Sequence, residues 1–270
     1  MFDTLYIGCS HSTGVYDLKN NIIDTEHSIA TVIADKLNLK IKSFSMPGCG
    51  NFQYLLLLEY LLQHDKLSNI KNIIIQKTYE PRLHFHENEK EFFKPALEYM
   101  DNDNEYTLSL FEPSIWSTYE HMNVDVVTGF QKTSVGKNDA LSYLEWLHTC
   151  LDRQRYIGQK EGRVEADNLY ADMCFRAIEN LCKVSDINLY PFAWNTSYRD
   201  TRYIRKTNPK FMGVHNSVMD YLKDKYGEEN LHANYLSNPG WHPTRDIVDD
   251  VGEAISKSQQ FKGLRNVNEQ

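Results

Sequence analysis

A serine hydroxyl is a weak nucleophile until a neighbouring base takes its proton. Imidazole, which titrates close to neutrality, suits that task. The chain carries Ser10 in the segment Gly8-Cys9-Ser10-His11-Ser12 and His242 in the segment Asn238-Pro239-Gly240-Trp241-His242-Pro243-Thr244. Acyl transfer also needs donors for an oxyanion, and the loss of one main-chain donor typically costs about 100–1,000-fold in rate. Gly50, in Pro47-Gly48-Cys49-Gly50-Asn51, lets such an oxygen approach backbone N–H groups, and Thr78, in Thr78-Tyr79-Glu80-Pro81-Arg82, offers a hydroxyl. Around these stand His11, Asn51, Trp241 and Asn238 as substrate-binding or orienting side chains, and Arg82 as an anion clamp or an ion-pair partner of Glu80. Each residue also has a plain structural reading. Ser10 hydrogen-bonds its own turn, His242 faces solvent ahead of a proline, Gly50 supplies a positive φ, and Cys9 is a small buried thiol. His84 and His86 share a face if extended, but no third ligand accompanies them, and no metal is expected.

The elements that must position these residues alternate between strand and helix. Thr4 to Ile7 is an apolar run ending at Gly8, and a helical pattern follows through Ile29, Val32, Ile33 and Leu37. Leu39 to Phe44 sets Leu39, Ile41 and Ser43 against Lys40 and Lys42, and breaks at Pro47 to Gly50. Asn51 is the expected N-cap of the next helix, whose apolar residues, Phe52, Tyr54 to Leu58 and Tyr60 to Leu62, cover nearly its whole circumference and predict burial. Asn72 to Gln76 is a β-branched run of the kind buried on both faces of a parallel sheet. Tyr170 to Leu181 repeats at helical spacing, Ile187 to Trp194 reads as a strand, and Ile247 to Ile255 forms the last helix behind Thr244 as N-cap. This order predicts a doubly wound α/β sheet. Ligand sites in such sheets lie beyond the carboxyl ends of the strands, where the four polar segments fall. Residues 83–140, without sustained period, are expected as an insertion or lid in a single domain spanning 1–258. The polar tail 259–270 is expected to fray.

The 270 residues carry 29 Lys and Arg against 37 Asp and Glu, a formal charge of -8, which argues against a nucleic-acid binder. The longest apolar block, Tyr54 to Leu58, falls far short of the roughly 20 residues of a membrane-spanning helix, and the first residues show no basic leader. Five cysteines without a CxxC pair point to reduced thiols and a cytoplasmic setting.

The same motifs resemble those of SGNH (GDSL-type) hydrolases. Gly8-Cys9-Ser10 stands where that family has Gly-Asp-Ser, which would make Ser10 the nucleophile. Gly50 resembles the second-block glycine, whose N–H joins that of the serine in the oxyanion hole, and His242-Pro243 ahead of a helix resembles the closing block with its catalytic histidine. The resemblance implies a flavodoxin-like three-layer α/β/α sandwich with a mainly parallel sheet. It also implies a serine esterase acting without a cofactor on small acyl or O-acetyl esters, including those on carbohydrate. Two blocks depart from the pattern. Thr78-Tyr79-Glu80-Pro81 replaces Gly-x-Asn-Asp, leaving Thr78, Gln76 or Arg82 as alternative donors, and Pro239 stands where Asp precedes the histidine. Asn238 or Asp246 would then orient the imidazole. The Thr78-to-Arg82 spacing resembles divergent, often virus-encoded members. These departures keep a second expectation open, a catalytically degenerate SGNH-like binding or assembly protein. A nucleotide-binding flavodoxin-like role is weaker, since no GxGxxG or P-loop follows the first strand.

Overall fold

The computed structural model describes residues 2–17, 22–47, 49–77, 82–83, 89–103, 105–110, 117–118, 162–195, 211–237 and 242–267. In chain order its strands are β1 (Thr4–Gly8), β2 (Val15–Asp17), β3 (Ile22–Asp24), β4 (Ile41–Ser45), β5 (Asn72–Lys77), β6 (Arg82–Leu83), β7 (Thr107–Ser109), β8 (Ser117–Thr118), β9 (Asn188–Ala193), β10 (Leu236–Ser237) and β11 (His242–Pro243). The principal helices are α1 (Ile29–Leu37), α2 (Asn51–Gln63), α3 (Glu89–Asp101), α4 (Gly162–Val184), α5 (Val218–Tyr226) and α6 (Arg245–Lys257).

Five strands form one parallel sheet in the order β7-β4-β1-β5-β9. The chain leaves β1 toward β4 on one side and then crosses to β5 on the other. The strand order therefore reverses at β1, the kind of point at which open α/β sheets bind ligands. Side chains alternate across this sheet. Leu5, Ile7, Phe44, Ile73 and Ile75 pack with α2, α3 and α4 on one face. Tyr6, Ile74 and Phe192 pack with α1, α5 and α6 on the other. The fold is thus a three-layer α/β structure, as the alternation predicts.

Several local expectations change. Gly50, not Asn51, is the N-cap of α2, and Asn51 is its first helical residue. The helix is also less enclosed than its composition predicts, with Leu62 exposed to 45% and Leu55, Leu56 and Tyr60 only partly buried. Lys42 is not on a solvent face. It is fully buried, its ammonium 4.1 Å from the Phe2 ring and 4.2 Å from the Tyr99 ring, and it donates to the carbonyl of Asn102. Part of the expected insertion belongs to the sandwich itself: β7 pairs with β4, while Phe93, Ala96 and Tyr99 of α3 enter the core. These three residues stand at helical spacing, a period hidden by the polar residues around them.

The tail does not fray over its described length. Gln259–Val267 forms 3-10 turns on either side of a kink at Phe261; Phe261 and Leu264 are fully buried, and Phe261 stacks on Tyr190 at 5.9 Å. Gln260 donates to the carbonyl of Pro191 in the edge strand β9. Pro191 has no N–H to offer a further strand, and its carbonyl is taken by Gln260.

Candidate functional site

The first crossover leaves β1 at Gly8 and enters a 3-10 turn, Ser10–Ser12, on the carboxyl edge of the central strand. Hydrogen bonds tie this turn to the exit of β4: Met46 N–H donates to the Gly8 carbonyl (2.8 Å), and the Ser45 hydroxyl to the Cys9 carbonyl (3.0 Å). Gly8 is required by close approach. A Cβ there would lie 2.3 Å from Ser12 Oγ and 2.5 Å from Ser12 Cβ, well inside van der Waals contact.

Ser12, not Ser10, anchors the turn. Its buried hydroxyl donates to Gln76 Oε1 at 2.5 Å and lies 2.8 Å from the Tyr6 hydroxyl. Ser12 has only one proton to give, so Tyr6 is the donor in the second bond. Burial raises the Tyr6 pKa far above that of a free phenol and keeps that donor protonated. Gln76 also accepts from Cys9 N–H (3.3 Å) and donates through Nε2 to Cys9 Sγ (3.1 Å). Gln76, one of the alternative oxyanion donors, is therefore engaged inside the scaffold. A lone amide closing the run Ile73-Ile74-Ile75 was the sequence signal for this role, because a polar side chain in a doubly buried strand needs partners.

Above this network the rings of three segments stack. His11 lies 4.6 Å from Trp194 at 19° and 5.6 Å from His242 at 25°, and its Nδ1 is 3.2 Å from Cys9 Sγ. Trp194 follows β9 and is buried, an aromatic partner that the strand reading left without a role. His242 belongs to β11, which pairs with β10 (Ser237 opposite His242) and packs against the Ser10–Ser12 turn. Thr244 secures the same loop, its N–H and hydroxyl both donating to the Tyr235 carbonyl at 3.1 and 3.0 Å.

The structure thus brings Ser10, His11 and His242 together at one end of the sheet. Among the described residues no hydrogen bond joins Ser10 to His242, and the His242 ring contacts that of His11. Gly50 N–H donates to Gln53 Oε1 at 3.2 Å, so the expected oxyanion donor is engaged within its own helix cap. Asn51 is buried beside it. Thr78, Glu80, Asn238 and Trp241 lie outside the described residues, as do His84 and His86, and Arg82 is described in its backbone only. A groove of about 820 Å³ runs along α1 and the start of β4, lined by His27, Asp35, Lys40 and Glu105, apart from the turn. Among the described residues no group of three His, Cys, Asp or Glu side chains is placed to hold a metal, and no helix is long and apolar enough to cross a membrane.

Comparisons with family models, with curated proteins and with solved structures find no match to this chain. The class defined by the structure is a three-layer α/β fold with a five-stranded parallel sheet.

Proposed function

We propose that this chain is a serine esterase of the SGNH type, acting on small acyl or O-acetyl esters, including those on carbohydrate. The observation that carries the reading is the contact between the Ser10–Ser12 turn and the closing segment, with the His242 ring 5.6 Å from that of His11 at the point where the strand order reverses. In the proposed reaction Ser10 Oγ attacks the ester carbonyl carbon while His242 takes the hydroxyl proton. The C–O bond of the leaving alcohol then breaks as His242 returns that proton, and water repeats the sequence to release the acid. The hydroxyl–imidazole bond, not made in the free protein, forms on substrate binding. The N–H groups of Ser10 and Gly50 receive the oxyanion, the latter when Gln53 releases it, and Thr78 adds a third donor. The buried thiols of Cys9 and Cys182 support a reducing, cytoplasmic setting.

A fluorophosphonate probe is expected to label the protein at Ser10, and Ser10→Ala to abolish labelling. Equal labelling of that variant would end the esterase reading.

A degenerate binding or assembly protein is the second reading. It is favoured by the engagement of Gly50 N–H with Gln53 and of Gln76 with Cys9 and Ser12, which leaves two expected donors turned inward. It predicts neither probe labelling nor acetyl-ester hydrolysis above background.

A further inference from the structure

We infer that His11 is a positioning residue for His242, holding the plane of its imidazole by ring stacking; the inference rests on the reading of Ser10 and His242 as nucleophile and base. The His11 ring is itself fixed from three directions. Trp194 lies nearly parallel to it at 4.6 Å, His242 lies nearly parallel at 5.6 Å, and Nδ1 meets the Cys9 thiol at 3.2 Å. Trp194 and His242 thus both lie nearly parallel to the His11 ring. Both outer supports are anchored. Trp194 is 4% exposed and its carbonyl accepts Met219 N–H at 2.9 Å, while the Cys9 sulfur accepts from Gln76 at 3.1 Å. The stack therefore joins the exit of β1, the exit of β9 and the strand leading into α6. It is a rigid mount for an imidazole beside the turn that carries Ser10.

The resembled family orients its histidine through a carboxylate three residues earlier, and here that position is Pro239. A flat ring against the imidazole restrains its plane without a carboxylate. It does not stabilise an imidazolium as a carboxylate does, so its effect is on alignment. Misplacement of a reacting group by about 1 Å can cost about 100-fold in rate, which sets the scale of the expected loss.

The test compares His11→Ala with His11→Phe, the second of which keeps a flat ring in place. With p-nitrophenyl acetate as the probe, His11→Ala is expected to lower kcat by about 100-fold with KM changed less than about 3-fold. His11→Phe is expected to restore most of kcat. A readout independent of activity accompanies this: ring-current shifts of the His242 imidazole protons in NMR spectra, lost in His11→Ala and kept in His11→Phe. Unchanged kcat and unchanged His242 shifts in His11→Ala would overturn the inference, as would a His11→Phe protein that behaves like His11→Ala. Fluorophosphonate labelling of the wild-type protein separates the two levels. If Ser10 is not labelled, the esterase reading fails and the positioning role inferred for His11 in that reaction fails with it, whatever the NMR shifts show about the stack. If Ser10 is labelled while the alanine variant keeps full kcat, only the role of His11 falls.

Discussion

At the scale of single residues, the turn after β1 depends on a glycine, a hydroxyl and an amide that never meet substrate in the proposed reaction. Ser12 Oγ approaches Gly8 so closely that even a methyl group there displaces it, and with it the bonds to Gln76 and Tyr6. Overpacking of this kind costs about 1–3 kcal/mol, and an unsatisfied buried partner adds about 1–3 kcal/mol. Gly8→Ala is therefore expected to lower the urea midpoint markedly. In the esterase reading it also reduces probe labelling at Ser10 in protein that remains folded. A Gly8→Ala variant of wild-type stability would show that the close approach is not what this position requires.

At the scale of elements, the docked tail and the β7 edge define how much of the chain the sandwich needs. Phe261 is fully buried in the cluster that includes Tyr6, Val248 and Phe192. Truncation of a buried phenylalanine to alanine typically costs about 3–5 kcal/mol. Phe261→Ala is expected to lose stability on that scale in chemical denaturation, and a chain ending at Ser258 to lose at least as much. A truncated protein with an unchanged midpoint would mean that the tail only rests on β9. Close packing supports the first outcome, since the hydroxyl of Tyr190 lies where a Cβ on Gly263 would fall, 2.4 Å away.

For the molecule as a whole, buried acids of high pKa set the alkaline limit. Burial pushes the Tyr99 phenol up to about 12 and the Cys182 thiol up to about 12, and it raises Tyr6 further still. Each group binds its proton more tightly folded than unfolded, so its contribution is complete below the unfolded pKa, near 9 for the thiol and 10 for the phenols. That contribution disappears as pH rises through the folded values, at up to about 1.4 kcal/mol per pH unit per group. Lys42, lowered by burial, acts in the opposite sense only as pH approaches its unfolded value of 10.5, because its unfolded form holds the proton more strongly. The phenols of Tyr190, Tyr221 and Tyr226 are raised as well, so the raised groups outnumber Lys42 and leave a net loss. Urea midpoints measured from pH 7 to 12 are expected to hold steady to about pH 9 and then fall. A flat profile to pH 12 would show these groups to be solvated.

The amino-acid sequence by itself determined the layer architecture, because β-branched runs such as Ile73-Ile74-Ile75 and the helical spacing from Ile247 to Ile255 have few ways to bury their apolar faces. It also placed Ser10 just after the first strand and His242 just ahead of the last helix. It could not show that Lys42 is buried under two rings, that Phe261 and Leu264 hold the tail, or that β7 completes the sheet. Each of these depends on partners distant in the chain. Only the tertiary structure decided which imidazole touches which, setting His11 against both Trp194 and His242 and turning Gly50 N–H and Gln76 inward. The physical reason is range. Periodicity records which face of an element avoids water, whereas a hydrogen bond or a ring contact is won or lost within about 1 Å, by the packing of every neighbour at once.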